Sequence, residues 1–246
     1  MEIKWMHALI DLPAEVYEGA QRFWSAVSDT TLGPINPEHP EYRHLNPSTG
    51  DMVLEMQRIN DGPPTAHLDL AVNDVPAGAQ HAIESGASLV AEHPGGHVVL
   101  KTPGGVQFCV IPWNGQHQKA PAIDPTRPHA IDQICLDVPH HRFDDDLTFW
   151  TTLTGWNINP PKHPEFRSLD QPSHLPLRIL IQQLGADDTG GPRAHLDISS
   201  GAFVEALAPD HQRAGANVVD RFHDWILLEA PGGLPYCLTS RQPDVG

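Results

Sequence analysis

The chain of 246 residues has few basic residues and few cysteines, and it lacks long apolar runs. Lys and Arg total 15 against 31 Asp and Glu, which gives a formal net charge of −16. Nucleic acids and anionic membranes need clustered positive charge, so this balance argues against both as partners. No apolar run approaches the roughly 18 residues expected of a membrane-spanning helix, so we expect no membrane span.

The cysteine content argues against a disulfide framework. The chain has only Cys109, Cys135 and Cys237, which is an odd and small number for its length. The opening segment MEIKWMHALIDLP has no charged leader followed by a long apolar core, so we expect no signal peptide. A reducing, cytoplasmic setting fits these features best.

Short motifs recur in the same order in both halves of the chain. AHLDL at 66–70 returns as AHLDI at 194–198, and HPEYR at 39–43 returns as HPEFR at 163–167. The FW pairs and the PGG-to-Cys segments follow suit, with offsets between 124 and 129. This order and spacing predict two homologous domains joined by a polar, proline-rich linker. The predicted domains are 1–113 and 129–241, with the linker at 114–128.

Hydrophobic periodicity predicts a β-α-β-β-β order that is repeated about four times along the chain. After the AHLDL strand, a helix is expected from Val75 to Ser85, with Asp74 as its N-cap and Gly86 beyond its end. The helix expected at 202–214 contains Pro209, which should shorten, kink or restart it. Strand candidates in the first domain include 41–46, 51–59, 88–92, 97–101 and 106–111.

These motifs together resemble the vicinal oxygen chelate superfamily. That superfamily holds glyoxalases, extradiol dioxygenases, and bleomycin- and fosfomycin-resistance proteins, and the similarity is greatest to tandem glyoxalase-like proteins. The resemblance rests on the FW pairs, HPE(Y/F)R, HLDL/HLDI and the PGG-to-Cys endings. It implies an α+β fold of two tandem vicinal-oxygen-chelate domains. Each domain would hold two βαβββ units that form an open curved sheet with helices on the outside.

The resemblance also implies where a metal would bind. Metal-dependent relatives take His, Gln or Glu ligands from the first and last strands of each unit. In the first domain the matching positions are His7, Glu55 or Gln57, His67 and Cys109; in the second they are Gln133, Gln182 or Gln183, His195 and Cys237. The last-strand position, usually Glu in metal enzymes, is Cys in both domains. We therefore expect no metal cofactor, although a divalent metal in the first domain remains open, with His7, Glu55 and His67 as its ligands.

The histidines of the repeated pentapeptide have two interpretations. Alternation along a strand places His67 with Asp69, and His195 with Asp197, on one sheet face. A His–Asp hydrogen bond in each copy would hold one imidazole tautomer and raise its basicity. Such a pair serves packing or a pocket base, and these four residues are the catalytic candidates. The cysteines, lying inside apolar strands, are expected to be inert.

Further residues are candidates for ligand binding. Aromatic rings near strand ends could stack on a flat ligand, although ordinary core packing explains each ring equally. The arginines of the HPE(Y/F)R motif could bind a ligand carboxylate or form an Arg–Glu bridge that fixes a loop. The ligand-binding candidates are Trp5, Arg43, Gln57, Phe108, Arg167, Gln183, Trp225 and Tyr236.

These features predict a glyoxalase-like protein that binds a small organic molecule. The ligand is expected to be an aromatic or hydrophobic metabolite or antibiotic, held in a concave pocket. Either a binding or resistance protein or a metal-free acid–base enzyme fits. The alternative is a metal-dependent lyase, isomerase or dioxygenase that acts from the first domain. We expect a monomer or a homodimer.

Overall fold

The computed structural model describes residues 1–243 and shows an α+β chain of two tandem domains, each built on a curved mixed sheet. The first eight strands are β1 Trp5–Pro13, β2 Thr30–Leu32, β3 Tyr42–Pro47, β4 Leu54–Ile59, β5 Thr65–Val72, β6 Ser88–Glu92, β7 Val98–Lys101 and β8 Gln107–Pro112. The other seven are β9 Ala130–Val138, β10 Phe166–Ser168, β11 Arg178–Gln183, β12 Arg193–Ser199, β13 Asn217–Arg221, β14 Trp225–Glu229 and β15 Pro235–Thr239.

Strand order shows the duplicated βαβββ pattern. The first sheet has eight strands in the order β2-β3-β4-β1-β5-β8-β7-β6. The second has seven, in the order β10-β11-β9-β12-β15-β14-β13. The first and last strands of a βαβββ segment pair in parallel, as β5 and β8 do. The hairpins between them are antiparallel. The expected architecture is therefore confirmed.

Within residues 1–243, four α-helices follow the opening strands of the four βαβββ segments. They are α1 Ala14–Val27, α2 Val75–Glu84, α3 Phe143–Thr154 and α4 Val204–Ala214. Helix α2 begins as expected, because the Asp74 carboxylate accepts a hydrogen bond from the Ala77 N–H at 3.0 Å. Gly86, beyond its end, has a φ of +118°, which a residue with a side chain rarely adopts. Within the described residues, no helix is long and apolar enough to cross a membrane.

Helix α4 differs from the expectation for its sequence. Pro209 lies inside it, and the helix continues from Val204 to Ala214, preceded by a short 3₁₀ turn. The missing proline N–H removes one backbone hydrogen bond, but the buried side chains of Leu207 and His211 hold the helix on the core. Packing therefore outweighs the local cost of proline.

Cα proximity groups the chain into two compact units that differ from the sequence repeats. Unit 1 holds Met1–His7, His67–His117 and Ile134–Ala194. Unit 2 holds Ala8–Ala66, Gln118–Gln133 and the described chain from His195 onward. Each unit thus combines one βαβββ segment from the first repeat with one from the second.

Aromatic rings link the helices to the sheet in both units. In unit 1, the Phe108 ring of β8 lies 5.7 Å from Phe149 and 5.5 Å from Trp150 of α3. In unit 2, the Tyr236 ring of β15 lies 5.8 Å from Phe23 and 5.5 Å from Trp24 of α1. The two tryptophans are fully buried, so the FW motifs supply the core between helix and sheet.

Unit 1 also contains a buried carboxyl group between its helix and its sheet. Asp146 of α3 accepts hydrogen bonds from the Thr102 hydroxyl at 2.8 Å and from the Gly104 N–H at 2.5 Å. A Cβ at Gly104 would lie 2.8 Å from Asp146 Oδ1 and 2.7 Å from Val138 Cγ1. Glycine is therefore required in this turn for the close approach of the helix.

Candidate functional site

In unit 1, the strands β5 to β8 have one face against helices and an opposite face that carries polar side chains. At Gly78 of α2, a Cβ would lie 3.1 Å from Val110 Cγ1 and 3.3 Å from Val72 Cγ2, so these valines face the helix. Asp69 and Cys109 pair in register on β5 and β8 and, by alternation, point the other way. The sequence could not indicate which face the helices would cover.

Three potential metal ligands meet on this open face in unit 1. The ligand atoms of His67, Asp69 and Cys109 all lie within 4.8 Å of one another, and all three residues are buried. His67 Nε2 lies 3.4 Å from Asp69 Oδ1, so the expected His–Asp contact forms. Burial, followed by the Asp69 charge, raises the pKa of the Cys109 thiol to about 12. Without a metal, the thiol is therefore protonated at neutral pH, as expected for an inert cysteine.

A corresponding group occupies the same strand positions in unit 2. His195 Nε2 lies 3.5 Å from Asp197 Oδ1 and 3.8 Å from Cys237 Sγ. Gln133 Nε2 donates a hydrogen bond of 2.5 Å to Asp197 Oδ2. The expected His–Asp contact thus recurs, and here the carboxylate is held by an amide as well. All four side chains are largely buried.

Apolar side chains flank this group on the same sheet face. Antiparallel pairing sets Leu227 directly opposite Cys237, and Trp225 opposite Thr239. Directly opposite residues project to the same side, so Trp225 and Leu227 share the face of His195 and Asp197. Both are half-buried, whereas the alternate residues of β14 are buried. The Trp225 ring stacks on Phe222 at 4.7 Å, with 20° between the ring planes.

Strands β3 and β4 of unit 2 hold two further candidates from the sequence. Glu55 is one of the three residues that were expected to hold a metal if one binds. Its Oε1 lies 2.9 Å from His44 Nε2. Gln57 Nε2 donates a hydrogen bond of 3.3 Å to the Tyr42 hydroxyl. Each side chain contacts the residue directly opposite it in the ladder.

The two motif arginines have different surroundings. Arg43 alternates with Tyr42 and His44 and therefore faces the helix side of the sheet. Arg167 donates hydrogen bonds to the carbonyls of Pro164 at 2.9 Å and Phe166 at 2.8 Å. Arg167 thus holds its loop through hydrogen bonds to backbone carbonyls and not through a glutamate.

The remaining candidates occupy varied positions. Phe108 and Tyr236 lie in the helix–sheet core, and the Tyr236 hydroxyl lies 2.8 Å from His211 Nδ1. Trp5 and His7 are buried on β1. Gln183, at the end of β11, donates a hydrogen bond of 3.4 Å to the carbonyl of His140.

Sequence reasoning missed Leu227 on these polar faces. It placed Cys109 and Cys237 at the last-strand positions of the metal ligands but expected both thiols to be inert. The signal was available in the repeat: both cysteines fall at the same place in the PGG-to-Cys motif and share parity with the paired Asp. Only the parallel register of β12 with β15, and of β5 with β8, brings Cys beside His.

Comparisons with known proteins agree with this architecture. The family model described as a glyoxalase-like domain matches residues 7–111 and again residues 133–239. No curated protein matches the chain.

Solved structures with a similar fold include a Mn(II)-bound glyoxalase and two dioxygenases. The Mn(II)-bound glyoxalase from Novosphingobium aromaticivorans has a TM-score of 0.64 at 17% identity, over 99% of this chain and 83% of that one. The 2,2',3-trihydroxybiphenyl 1,2-dioxygenase of Sphingomonas wittichii strain RW1 has a TM-score of 0.63 at 12% identity, over 97% and 90%. Homoprotocatechuate 2,3-dioxygenase from Arthrobacter globiformis has a TM-score of 0.63 at 9% identity, over 97% and 81%. At these identities the similarity establishes the fold alone.

Proposed function

Because the chain belongs to the glyoxalase-like domain family, we propose that it binds a flat, aromatic or hydrophobic small molecule on the sheet face that carries Trp225. The observation that carries this proposal is the pairing of β14 with β15. It sets the half-buried Leu227 opposite Cys237, and the half-buried Trp225 two residues further along β14 on the same sheet face as His195 and Asp197. Binding sites of this kind combine apolar walls with a few fixed polar groups.

Trp225 is the stacking surface of the proposed site. Phe222 holds the indole from one side by ring stacking, so the ring is oriented before a ligand arrives. A pre-oriented ring loses little conformational entropy on binding. Leu227 extends the apolar surface toward Cys237, whose thiol would behave as a small hydrophobe.

His195 and Asp197 supply the polar floor of this site. The Asp197 contact favours one imidazole tautomer, and Gln133 holds the carboxylate in turn. This arrangement presents a hydrogen-bonding group to a hydroxyl or carbonyl on the ligand. The imidazole would also accept a proton from a bound molecule, which is what a metal-free acid–base enzyme requires.

Binding of 1-naphthol, followed by isothermal titration calorimetry, tests the proposal. Trp225→Ala should weaken binding by at least about tenfold, since both stacking and buried area are lost. Trp225→Phe should retain most of the affinity. Trp156→Ala, which removes another half-buried indole, is the matched control and should leave the affinity unchanged. Equal losses in Trp225→Ala and Trp156→Ala, or no binding to the wild type, would refute the assignment.

A second candidate function is divalent metal binding in the first repeat, favoured by the proximity of His67, Asp69 and Cys109. Imidazole nitrogen, carboxylate oxygen and thiolate sulfur together suit Zn²⁺. They do not match the two histidines and one carboxylate typical of non-haem iron sites. These three residues would hold the ion, which when bound polarises a ligand oxygen as a Lewis acid.

Zinc content after equilibrium dialysis, measured by mass spectrometry, tests this second candidate. Cys109→Ser should lower the zinc bound per chain by at least about half, because it removes the thiolate ligand. Cys237→Ser is the matched control at the same position of the other repeat. In that repeat Gln133 already donates a hydrogen bond to the Asp197 carboxylate, so no loss of bound zinc is expected. If neither substitution lowers the zinc content, the metal assignment fails.

A further inference from the structure

Two arginines of unit 2 lie on the helix-facing side of the β3–β4 ladder. Arg43 of β3 pairs directly with Met56 of β4, which is fully buried. Arg58 follows Met56 by two residues, so it projects to the same face and stands on the diagonal from Arg43. The Arg58 N–H donates a hydrogen bond of 2.8 Å to the carbonyl of Glu41, which fixes this register. Long side chains at such a diagonal spacing are within reach of one another.

The Arg43 side chain carries a buried donor that has no acceptor. Its Nε atom is shielded from solvent and makes no hydrogen bond within residues 1–243. Burying a donor of a charged group without an acceptor is costly. The residue as a whole is only half-buried, so one side of the guanidinium faces the protein and another is reachable from solvent. Because the inner side offers no acceptor, a counterion for Arg43 has to come from solvent.

A shortage of carboxylates does not explain why these arginines are unpaired. The chain has 31 acidic residues against 15 basic ones, and elsewhere arginines do find them, as Arg193 finds Asp188 at 2.9 Å. Arg58 makes no side-chain hydrogen bond or ion pair in the part of the chain that the structure describes. The carboxylate nearest to it along the ladder, that of Glu41, contacts His39 Nδ1 at 3.4 Å instead. The two guanidinium groups therefore form a local positive patch.

The second repeat shows that the fold can satisfy the motif arginine internally. Arg167 stands at the position of Arg43 in the motif HPE(Y/F)R. It donates hydrogen bonds to the carbonyls of Pro164 and Phe166. Among the described residues, Arg43 has no such bond at its Nε atom. The same motif thus holds a bonded arginine in one repeat and an unbonded one in the other.

The second arginine of the patch is also specific to the first repeat. The Gln183 N–H donates to the carbonyl of Glu165 at 2.8 Å, just as the Arg58 N–H donates to that of Glu41. Gln183 therefore occupies the position of Arg58, and it carries no charge. Since the second repeat folds with one arginine here, the pair of charges in the first repeat is not needed for folding.

We propose that Arg43 and Arg58, the oxyanion site, bind a phosphate group, either free or carried by an organic phosphate monoester. Guanidinium groups recognise phosphate through several parallel N–H···O bonds, and two of them match its nearly two negative charges at neutral pH. The net charge of −16 repels anions over long distances, so a bound phosphate must be held by these local contacts. This inference goes beyond the aromatic site at Trp225, because it concerns other strands, the other sheet face and another ligand chemistry.

Calorimetric titration with inorganic phosphate and with phenyl phosphate, at an ionic strength fixed with sodium chloride, tests the oxyanion site. The wild type should bind at least one of the two. Arg58→Gln installs the residue of the other repeat, and Arg43→Met keeps an unbranched apolar stem while removing the charge. Each should weaken binding at least about tenfold, because charge-assisted hydrogen bonds are lost. Benzoate, which has a single negative charge, should bind more weakly than phenyl phosphate.

Thermal unfolding separates a binding role of Arg43 from a purely structural one. In phosphate-free buffer, Arg43→Met should not lower the midpoint, because it removes a buried donor that has no acceptor. Phosphate should raise the midpoint of the wild type and leave that of Arg43→Met in place. A structural arginine would instead lower the midpoint equally with and without phosphate.

Two controls separate this inference from general effects. Arg22→Gln removes an exposed arginine of α1 in the same unit and should change phosphate affinity by no more than about twofold, since a single exposed charge contributes little. Binding of 1-naphthol should persist in Arg43→Met and Arg58→Gln, so a failure here is distinct from a failure of the Trp225 site. The oxyanion site is overturned if the wild type binds neither phosphate, if benzoate binds as tightly as phenyl phosphate, or if Arg22→Gln weakens binding as much as Arg58→Gln does.

Discussion

At the scale of single residues, Asp146 is a buried carboxyl group that contacts no cationic side chain within residues 1–243. Burial raises its pKa from 3.8 to about 6, although the hydrogen bonds from Thr102 and Gly104 act in the opposite direction. Between these two values the folded protein keeps a proton that the unfolded chain has released. The contribution of Asp146 to stability is therefore full at low pH and declines as the pH rises through this window.

Replacing Asp146 with Asn should flatten the pH dependence of stability. Relative to Asp146→Asn, the wild type should lose up to about 3 kcal/mol of unfolding free energy between pH 4 and pH 6.5. Urea unfolding at a series of pH values measures this difference. Asp145→Asn, at a side chain that is 52% exposed, should retain the wild-type slope. Parallel pH profiles for the wild type and Asp146→Asn would contradict the burial argument.

Side-chain alternation allowed contacts within one strand to be predicted, but not contacts between strands that are distant in sequence. The contacts of His67 with Asp69, and of His195 with Asp197, follow from a spacing of two along one strand. The approach of Cys109 and Cys237 depends on the register between strands that are distant in sequence. No local pattern fixes that register, so the resemblance placed the cysteines at ligand positions but the sequence alone did not bring them beside the histidines.

At the scale of elements, α4 contains a proline that costs a backbone hydrogen bond. Pro209 is exposed, so replacing it removes no core packing. Pro209→Ala would restore an N–H to bond the carbonyl of Glu205. It should stabilise the fold by about 1–2 kcal/mol, since some of the gain is offset by a freer unfolded chain.

Thermal unfolding followed by circular dichroism measures the effect of Pro209→Ala. The midpoint should rise in Pro209→Ala. Gln212→Ala, at an exposed position of the same helix, should change the midpoint little. A lower midpoint in Pro209→Ala would show that the proline stabilises the helix in its native position.

Most elements of the first repeat were predictable because their signals are local. Caps, turn glycines and alternation placed the α2 helix and the strands β3 to β8 within a few residues. The short strand β2 at Thr30–Leu32 was missed, since three residues carry no periodicity. The sequence also did not indicate which face of each sheet the helices cover. Alternation separates Phe108 from Cys109, and only the contacts with α3 show that Phe108 faces the core.

At the scale of the whole molecule, the duplication could be recognised from the sequence, but the way the repeats pack into compact units could not. The repeated motifs predict two similar folds, which the two sheets confirm. The compact units join a segment of each repeat, because helices pack on aromatic rings supplied by the other copy, as Phe108 does with Trp150. The two repeats also carry different residues on corresponding faces, such as Glu55 and Leu180. Duplication therefore preserved the fold, while the residues on these faces diverged.

The central claim, that an aromatic ligand stacks on Trp225, is tested most directly by nuclear magnetic resonance of the six tryptophan indoles. The Trp225 Nε1–H resonance, assigned by loss in Trp225→Phe, should shift progressively as 1-naphthol is added. The resonances of Trp24 and Trp150, which are buried in the helix–sheet cores, should remain in place. A titration in which 1-naphthol binds while the Trp225 resonance stays fixed would contradict the claim.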